Sequence, residues 1–286
     1  IYEINNEIRR LNLAAYAPLR YVLPHKQEAY DKKYSTKVRG GEHIFRPVDR
    51  EESLVHLLRI NVLKRMESSV VSFALTLGRQ LADVNNLLAR LDAHENSIEE
   101  LSIDDVDIDD PAFESLLFGR KVKVLLQDTD HIRWRQDLIE DRNRLETLLS
   151  AANDIGVTRD AKLAALMGVI AKKCKEPINP GNRKVLVFTA FADTAEYLYD
   201  ELSVWAKEKL GIHSAQVTGT GRNKTTINGM RRDLGTILSA FSPRSKERAE
   251  EFNAEGEIDL LSATDCISEG QNLQDCDYLI NYDIHW

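Results

Sequence analysis

The chain has 286 residues, 43% hydrophobic and 29% charged, with a net charge of −8. That length gives one large or two small domains, able to bury most of their apolar surface without covalent staples. The acidic balance argues against a protein that coats nucleic acid through bulk charge, but it leaves room for a local basic track.

The cysteines Cys174, Cys266 and Cys276 form no CxxC pair and have no His pair nearby. No metal site is expected, and reduced thiols in a cytoplasmic protein are the simpler reading. No apolar run reaches the roughly 18 residues a membrane span needs. The chain begins at Ile1 without an initiator Met and stops at Trp286 in an apparent strand exit, so it reads as a piece of a longer protein; no signal-peptide pattern opens it.

In chain order, residues 5–15 read as a short helix with Ile8, Leu11 and Ala15 on one face. Prolines at 18 and 24 bound an extended segment, and 25–33 reads as helix again. After Gly40-Gly41, a long helical stripe steps through Met66, Val70, Phe73, Leu77, Leu81, Val84, Leu88 and Leu91, interrupted by Gly78. It reads as a core-facing helix or, alternatively, as an arm that binds a protein partner. Residues 94–110 are acidic. A calcium loop counted from Asp105 fails, because Asp110 and Leu116 stand where glycine and glutamate are needed, leaving a solvated loop. Residues 128–149 return to helix, with Ile132, Leu138, Ile139, Leu145, Leu148 and Leu149 as its apolar stripe. Arg133, Arg135, Arg142 and Arg144 lie on its other sides, a solvated face or a nucleic-acid contact.

A helix over 160–173 ends before Pro177 and Pro180-Gly181. From there the pattern alternates strand and helix, which signals a mostly parallel sheet. Residues 184–189 form its first strand. Asp193 or Thr194 caps the next helix, with Glu196 as a capping-box partner of Asp193, and Gly211 ends it. Residues 212–218 are the second strand. Residues 219–240 carry Gly219, Gly221, Gly229 and Gly235, with Arg222, Lys224, Arg231 and Arg232 against one acid, Asp233, and read as a basic loop. Ser242, followed by Pro243, caps a helix running to residue 253. The strand Ile258-Asp259-Leu260-Leu261 then runs into Ser262-Ala263-Thr264-Asp265-Cys266-Ile267-Ser268-Glu269-Gly270-Gln271-Asn272-Leu273, and a last apolar run covers 278–282. A Thr-Asp pair leaving a strand, followed by a glycine, lies where open α/β sheets meet their ligands.

That last stretch resembles motif V of superfamily-two helicases, in their Swi/Snf-type branch. Val185-Leu186-Val187-Phe188-Thr189-Ala190-Phe191 resembles motif IV, Gln216-Val217-Thr218-Gly219 the strand and turn after it, and Ser242-Pro243-Arg244-Ser245-Lys246-Glu247-Arg248 through Asn253 the helix before motif V. The four segments stand in the family's order. The segment Val62-Leu63-Lys64-Arg65-Met66-Glu67-Ser68-Ser69 is similar to bacterial members whose second lobe carries a helical insertion, with Leu63 and Met66 packing and Arg65 near nucleic acid or solvated.

The resemblance implies an α/β fold, a RecA-like parallel sheet flanked by helices, preceded by a largely α-helical region. Residues 1–157 become linker and helical insertion, and 158–286 the second RecA-like lobe, cut before motif VI. Glu269, Gly270 and Asn272 are the implied nucleotide-facing residues, and Glu269 stands where many helicases carry arginine. Thr189, Thr218, Gly219, Thr264 and Arg244 are the implied nucleic-acid contacts. ATP and Mg are the implied cofactors, held mainly by a first lobe. The implied partners are duplex DNA, that first lobe, and a protein on the helical insertion. No GxxxxGK[ST] phosphate loop occurs; residues 219–224 come nearest, with the wrong spacing. No catalytic residue is therefore expected within this chain. The whole protein is expected to be an ATP-dependent, DNA-stimulated translocase. A non-catalytic α/β interaction domain and a superfamily-two RNA helicase lobe are the alternatives.

Overall fold

A computed structural model describes residues 2–34, 36–37, 44–45, 47–94, 96–99, 122–156, 159–219, 223–249, 256–267 and 271–284. The chain divides into two compact units: Ile1–Met66 with Phe73–Asp154, and Glu67–Ser72 with Ile155–Trp286.

The first unit is mainly helical. It contains α1 (Tyr2–Arg9), α2 (Pro24–Tyr34), most of α3 (Pro47–Ser68) and α4 (Val70–Asp92), and α5 (His131–Asn153). Two short antiparallel pairs also belong to it: β1 (Thr36–Lys37) with β2 (Ile44–Phe45), and β3 (Ser97–Glu99) with β4 (Lys123–Leu125). The stripe expected over 66–91 is realised as two helices broken at Ser69, whose Oγ accepts the Ser72 N–H at 3.0 Å and so caps α4. Phe73, Leu77, Val84, Leu88 and Leu91 of that stripe are buried. Arg65 is also buried, at 1% exposure, with its Nε donating to Asn61 Oδ1, so it offers no surface to a nucleic acid. On α5 the apolar stripe is corrected: Ile132 is 73% exposed, and Trp134 fills the core in its place. Most of the acidic segment 94–110 lies outside the described residues.

The helix expected over 5–15 stops at Arg9, and the chain continues to Tyr21 as loop and 3-10 turns rather than as helix and extended segment. A buried irregular backbone must find partners for its polar groups. Here they come from neighbouring helices. Asp141 of α5 accepts the Asn12 and Ala14 N–H groups at 2.6 and 2.8 Å, and Trp134 Nε1 donates to Ala14 O at 2.9 Å. From α3, Arg59 donates to Leu11 O, and Glu51 accepts the Leu19 N–H. Trp134 stacks on Tyr21 with centroids 5.3 Å apart. Such long-range side-chain partners leave no local sequence signature.

The second unit is the α/β body. It contains α6 (Ala161–Lys175), β5 (Val185–Phe188), α7 (Ala192–Trp205), β6 (His213–Val217), β7 (Lys224–Thr225), α8 (Leu234–Phe241), β8 (Ile258–Ala263) and β9 (Leu279–Asn281). The sheet order is β7-β6-β8-β5-β9, with β6, β8, β5 and β9 parallel and β7 antiparallel at one edge. Helices α6 and α7 cover one face, packing on Val185, Val187 and Leu260. Helix α8 covers the other, packing on Leu186, Ala215, Val217, Ile258, Leu261 and Ala263. Both faces are buried, which accounts for the unbroken apolar runs of the strands. Ile258 and Leu261 share a face because the register slips by one residue at Asp259.

Three expectations in this unit are corrected. Phe191, not Asp193 or Thr194, precedes the first turn of α7, with no side-chain cap. Residues 219–240 are not all loop: Asp233 accepts the Thr236 N–H at 2.9 Å and starts α8, whose Ile237, Leu238 and Phe241 are buried. Burial of that kind contributes about 1.5–3 kcal/mol per side chain and outweighs the helix cost of Gly235. Ser242 therefore ends a helix, and residues 243–247 form a turn; the rest of the helix expected to residue 253 lies largely outside the described residues. Gly211 ends the α7 segment as expected, in the left-handed conformation at φ 65°.

Burial pushes the Asp141 carboxyl up to about 6, against the opposing pull of its two backbone hydrogen bonds. A carboxyl raised on folding gives stability that is present below its unfolded value and lost as pH rises through the folded one. Urea melts are thus expected to show the helical unit weakening from about pH 4 to about pH 6. Asp141→Ala should flatten that part of the profile and cost about 2 kcal/mol or more, because a buried and a part-buried N–H group lose their acceptor. Parallel profiles for the two proteins would contradict this assignment.

Candidate functional site

The parallel register fixes which residues meet at the carboxyl ends of the strands. Phe188 pairs with both Ala263 and Asn281, and Val217 pairs with Ala263. Three residues leaving strands donate their N–H to the last residue of the neighbouring strand. Thr264 N donates to Val217 O at 3.2 Å, Thr189 N to Ala263 O at 3.0 Å, and Tyr282 N to Phe188 O at 2.7 Å. Thr218, Thr264, Thr189 and Tyr282 therefore stand in a row along one rim. Gly219 belongs to the same rim: a Cβ built on it would come within 3.8 Å of Cys266 Cβ.

The threonine side chains are not free at this rim. Thr189, Thr218 and Thr264 are 3%, 5% and 7% exposed, whereas Gly219 is exposed. The Thr189 hydroxyl donates to Asp283 Oδ2 at 2.6 Å, and the same oxygen accepts the Ala190 N–H at 2.7 Å. Thr264 Oγ1 faces Cys266 Sγ at 3.6 Å, and the Thr218 N–H reaches Asn223 Oδ1 at 3.3 Å. The Thr189 and Thr264 hydroxyls and the Thr218 N–H thus brace the strand exits, and Gly219 presents exposed surface beside them.

Residues the motif pattern did not flag complete the site. Lys162 Nζ donates to Glu67 O at 2.8 Å and Ser68 O at 3.0 Å, lies 3.6 Å from Asp283 Oδ1, and sits 4.1 Å over the Tyr282 ring. Buried Thr194 shares hydroxyl contacts with Ser68 Oγ at 2.8 Å and Ser69 Oγ at 3.1 Å. Burial, then the nearby carboxylates of Asp160 and Asp283, hold the Tyr282 phenol well above its ordinary range, so it stays neutral. The Ser68-Ser69 pair at the break between helices was the one available signal.

The remaining candidates lie elsewhere. The Arg244 N–H donates to Asp275 Oδ2 at 2.7 Å, and Asp275 also accepts from the Ser245 N–H and hydroxyl. Burial raises the Asp275 carboxyl, but these hydrogen bonds more than offset it and hold it below the usual range. Asn182, just before β5, donates to Asp275 O at 2.9 Å, which puts the Arg244 backbone toward the amino ends of the strands. Asn272 is exposed and reaches Ser245 O at 3.5 Å, so it groups with Arg244 rather than with the threonines. Glu269 and Gly270 lie outside the described residues. Among the described residues, no group of three or more His, Cys, Asp or Glu side chains could hold a metal ion, and no helix is long and apolar enough to cross a membrane.

Residues 162–286 match the family of the helicase conserved C-terminal domain. No curated protein matches the chain. Among solved structures, the chain is similar to the crystal structure of the Pyrococcus furiosus Hef helicase domain, at 18% identity and a TM-score of 0.42, over 99% of this chain and 47% of that one. The chain thus spans about half the length of that structure. From residue 162 onward, the chain is thus similar to the helicase conserved C-terminal domain, and this stretch contains the parallel sheet whose carboxyl rim gathers Thr189, Thr218, Gly219 and Thr264.

Proposed function

We propose that the α/β unit is the second lobe of a Swi/Snf-type, ATP-driven motor that moves along duplex DNA. The observation that carries this reading is the row of Thr218, Thr264 and Thr189 at three neighbouring strand ends, with exposed Gly219 beside it. Backbone and small polar groups at strand ends suit phosphate oxygens, which carry no sequence information. A motor that steps along any sequence needs such a grip. In this reading the lobe closes over ATP bound mainly by a first lobe, with Glu269, Gly270 and Asn272 as nucleotide-binding residues. Among the described residues, no group of three or more His, Cys, Asp or Glu side chains offers a Mg ligand set. The helical unit serves as an insertion that offers a surface to a protein partner, and the protein works in the cytoplasm.

Two measurements test the proposal. The chain by itself should release no phosphate from ATP, with or without duplex DNA; clear turnover would contradict it. Gly219→Asp should fold normally, because the added Cβ meets only an ordinary contact at 3.8 Å. The new carboxylate should repel phosphates and weaken duplex-DNA binding by about tenfold or more, on the order of 1.4 kcal/mol. Unchanged binding by a variant of unchanged thermal stability would remove the rim from the DNA interface.

A further inference from the structure

The segment after β6 departs from the short link of the resembling family, and the structure shows how it is built. Ile227 and Met230 anchor it in the α8-side core. Between them Gly229 takes φ 80°, a left-handed conformation that turns the chain sharply. Asn223 then ties both ends together: its Oδ1 accepts the Thr218 N–H at 3.3 Å, and its Nδ2 donates to Arg232 O at 3.1 Å. One side-chain amide thus spans from the carboxyl end of β6 to the backbone of Arg232. Arg231 and Arg232 are exposed, and the bridge ties the Arg232 backbone to the strand exit at Thr218.

The charges of this segment are sorted by their surroundings. Lys224 is held by Glu196 at 2.7 Å and Asp200 at 3.0 Å. Asp233, the segment's one acid, spends its carboxylate on α8, accepting from Thr236 N at 2.9 Å and Thr236 Oγ1 at 2.7 Å. Among the described residues of the segment, Arg231, which feels the Asp233 carboxylate, and Arg232 are then the exposed arginines, on an anchored loop of a chain of net charge −8. Guanidinium groups bind phosphate bidentately and stay charged at any working pH.

We infer that Arg231 and Arg232 form a phosphate clamp that extends the rim grip onto the sugar-phosphate backbone of the bound duplex. The inference rests on the reading of the rim as a DNA interface. Two arginines then supply the long-range attraction that a strip of buried threonines and a glycine lacks. Each neutralised phosphate steepens the salt dependence of binding by about 0.9 in log–log slope.

The test titrates a labelled random-sequence DNA duplex with the full chain over a range of salt. It compares wild type, Arg231→Gln/Arg232→Gln, and a control of equal charge change, Lys207→Gln/Lys209→Gln. The control lysines are exposed on the turn Ala206–Leu210, before the amino end of β6. The arginine variant should bind at least about tenfold more weakly and lose about 2 units of slope. The control should keep the wild-type slope. If the arginine variant matches wild type, or if both variants lose slope equally, the clamp is overturned while the rim reading stands. If wild type itself shows no salt-dependent binding, the rim reading falls and the clamp falls with it. Melting temperatures of all three proteins exclude unfolding as the cause.

Discussion

The parallel register of β6, β8, β5 and β9 is the constraint on which the α/β unit depends. Pairing of Phe188 with Ala263 and Asn281, and of Ala263 with Val217, ends these strands at one level. A slip of one residue would exchange the two faces of a strand, putting Leu186 against α7 and Val187 against α8. The register is therefore fixed by burial on both faces, and the row of strand exits follows from it. Backbone hydrogen bonds from Thr264, Thr189 and Tyr282 carry the ladder one step beyond the strands.

The two rims of the sheet carry different chemistry. At the amino ends, buried Lys184 meets Glu257 at 2.9 Å and buried Lys173 meets Asp277 at 2.6 Å, while Asp275 takes up the backbone of the turn at Arg244 and Ser245. These groups neutralise one another. At the carboxyl ends, Asp283 braces Thr189 and Ala190, Lys162 ties down Glu67 and Ser68, and Asn223 presents the arginine loop. Residues Glu67–Ser72, far away in sequence, belong to this unit because Thr194 and Lys162 satisfy the polar groups left by the break between α3 and α4.

The α/β order of the second unit was legible in the sequence, because a strand buried on both faces writes an unbroken apolar run and Gly211 marks a helix end. The threonine row was legible through the motif resemblance. The state of its side chains was not, since burial of Thr189 depends on Asp283, 94 residues away. Helix α8 was hidden because its glycine argues locally for a loop while the burial of Ile237, Leu238 and Phe241 decides globally. The irregular backbone around Leu11 to Leu19 was hidden for a similar reason: Asp141, Trp134, Arg59 and Glu51 satisfy it from distant helices. Arg244 read as a site residue from its place in a motif, yet its backbone is committed to Asp275 on the side of the sheet away from the threonines.

The central claim is that the carboxyl rim of this sheet is the surface that meets the backbone of DNA. Amide hydrogen exchange of the chain with and without duplex DNA tests it directly. The account predicts slowed exchange at 189–191, 217–219 and 264–267, with 243–247 and 273–276 unchanged. Slowed exchange confined to the amino-end turn around Ser245 and Asp275, with none at the carboxyl rim, would contradict it.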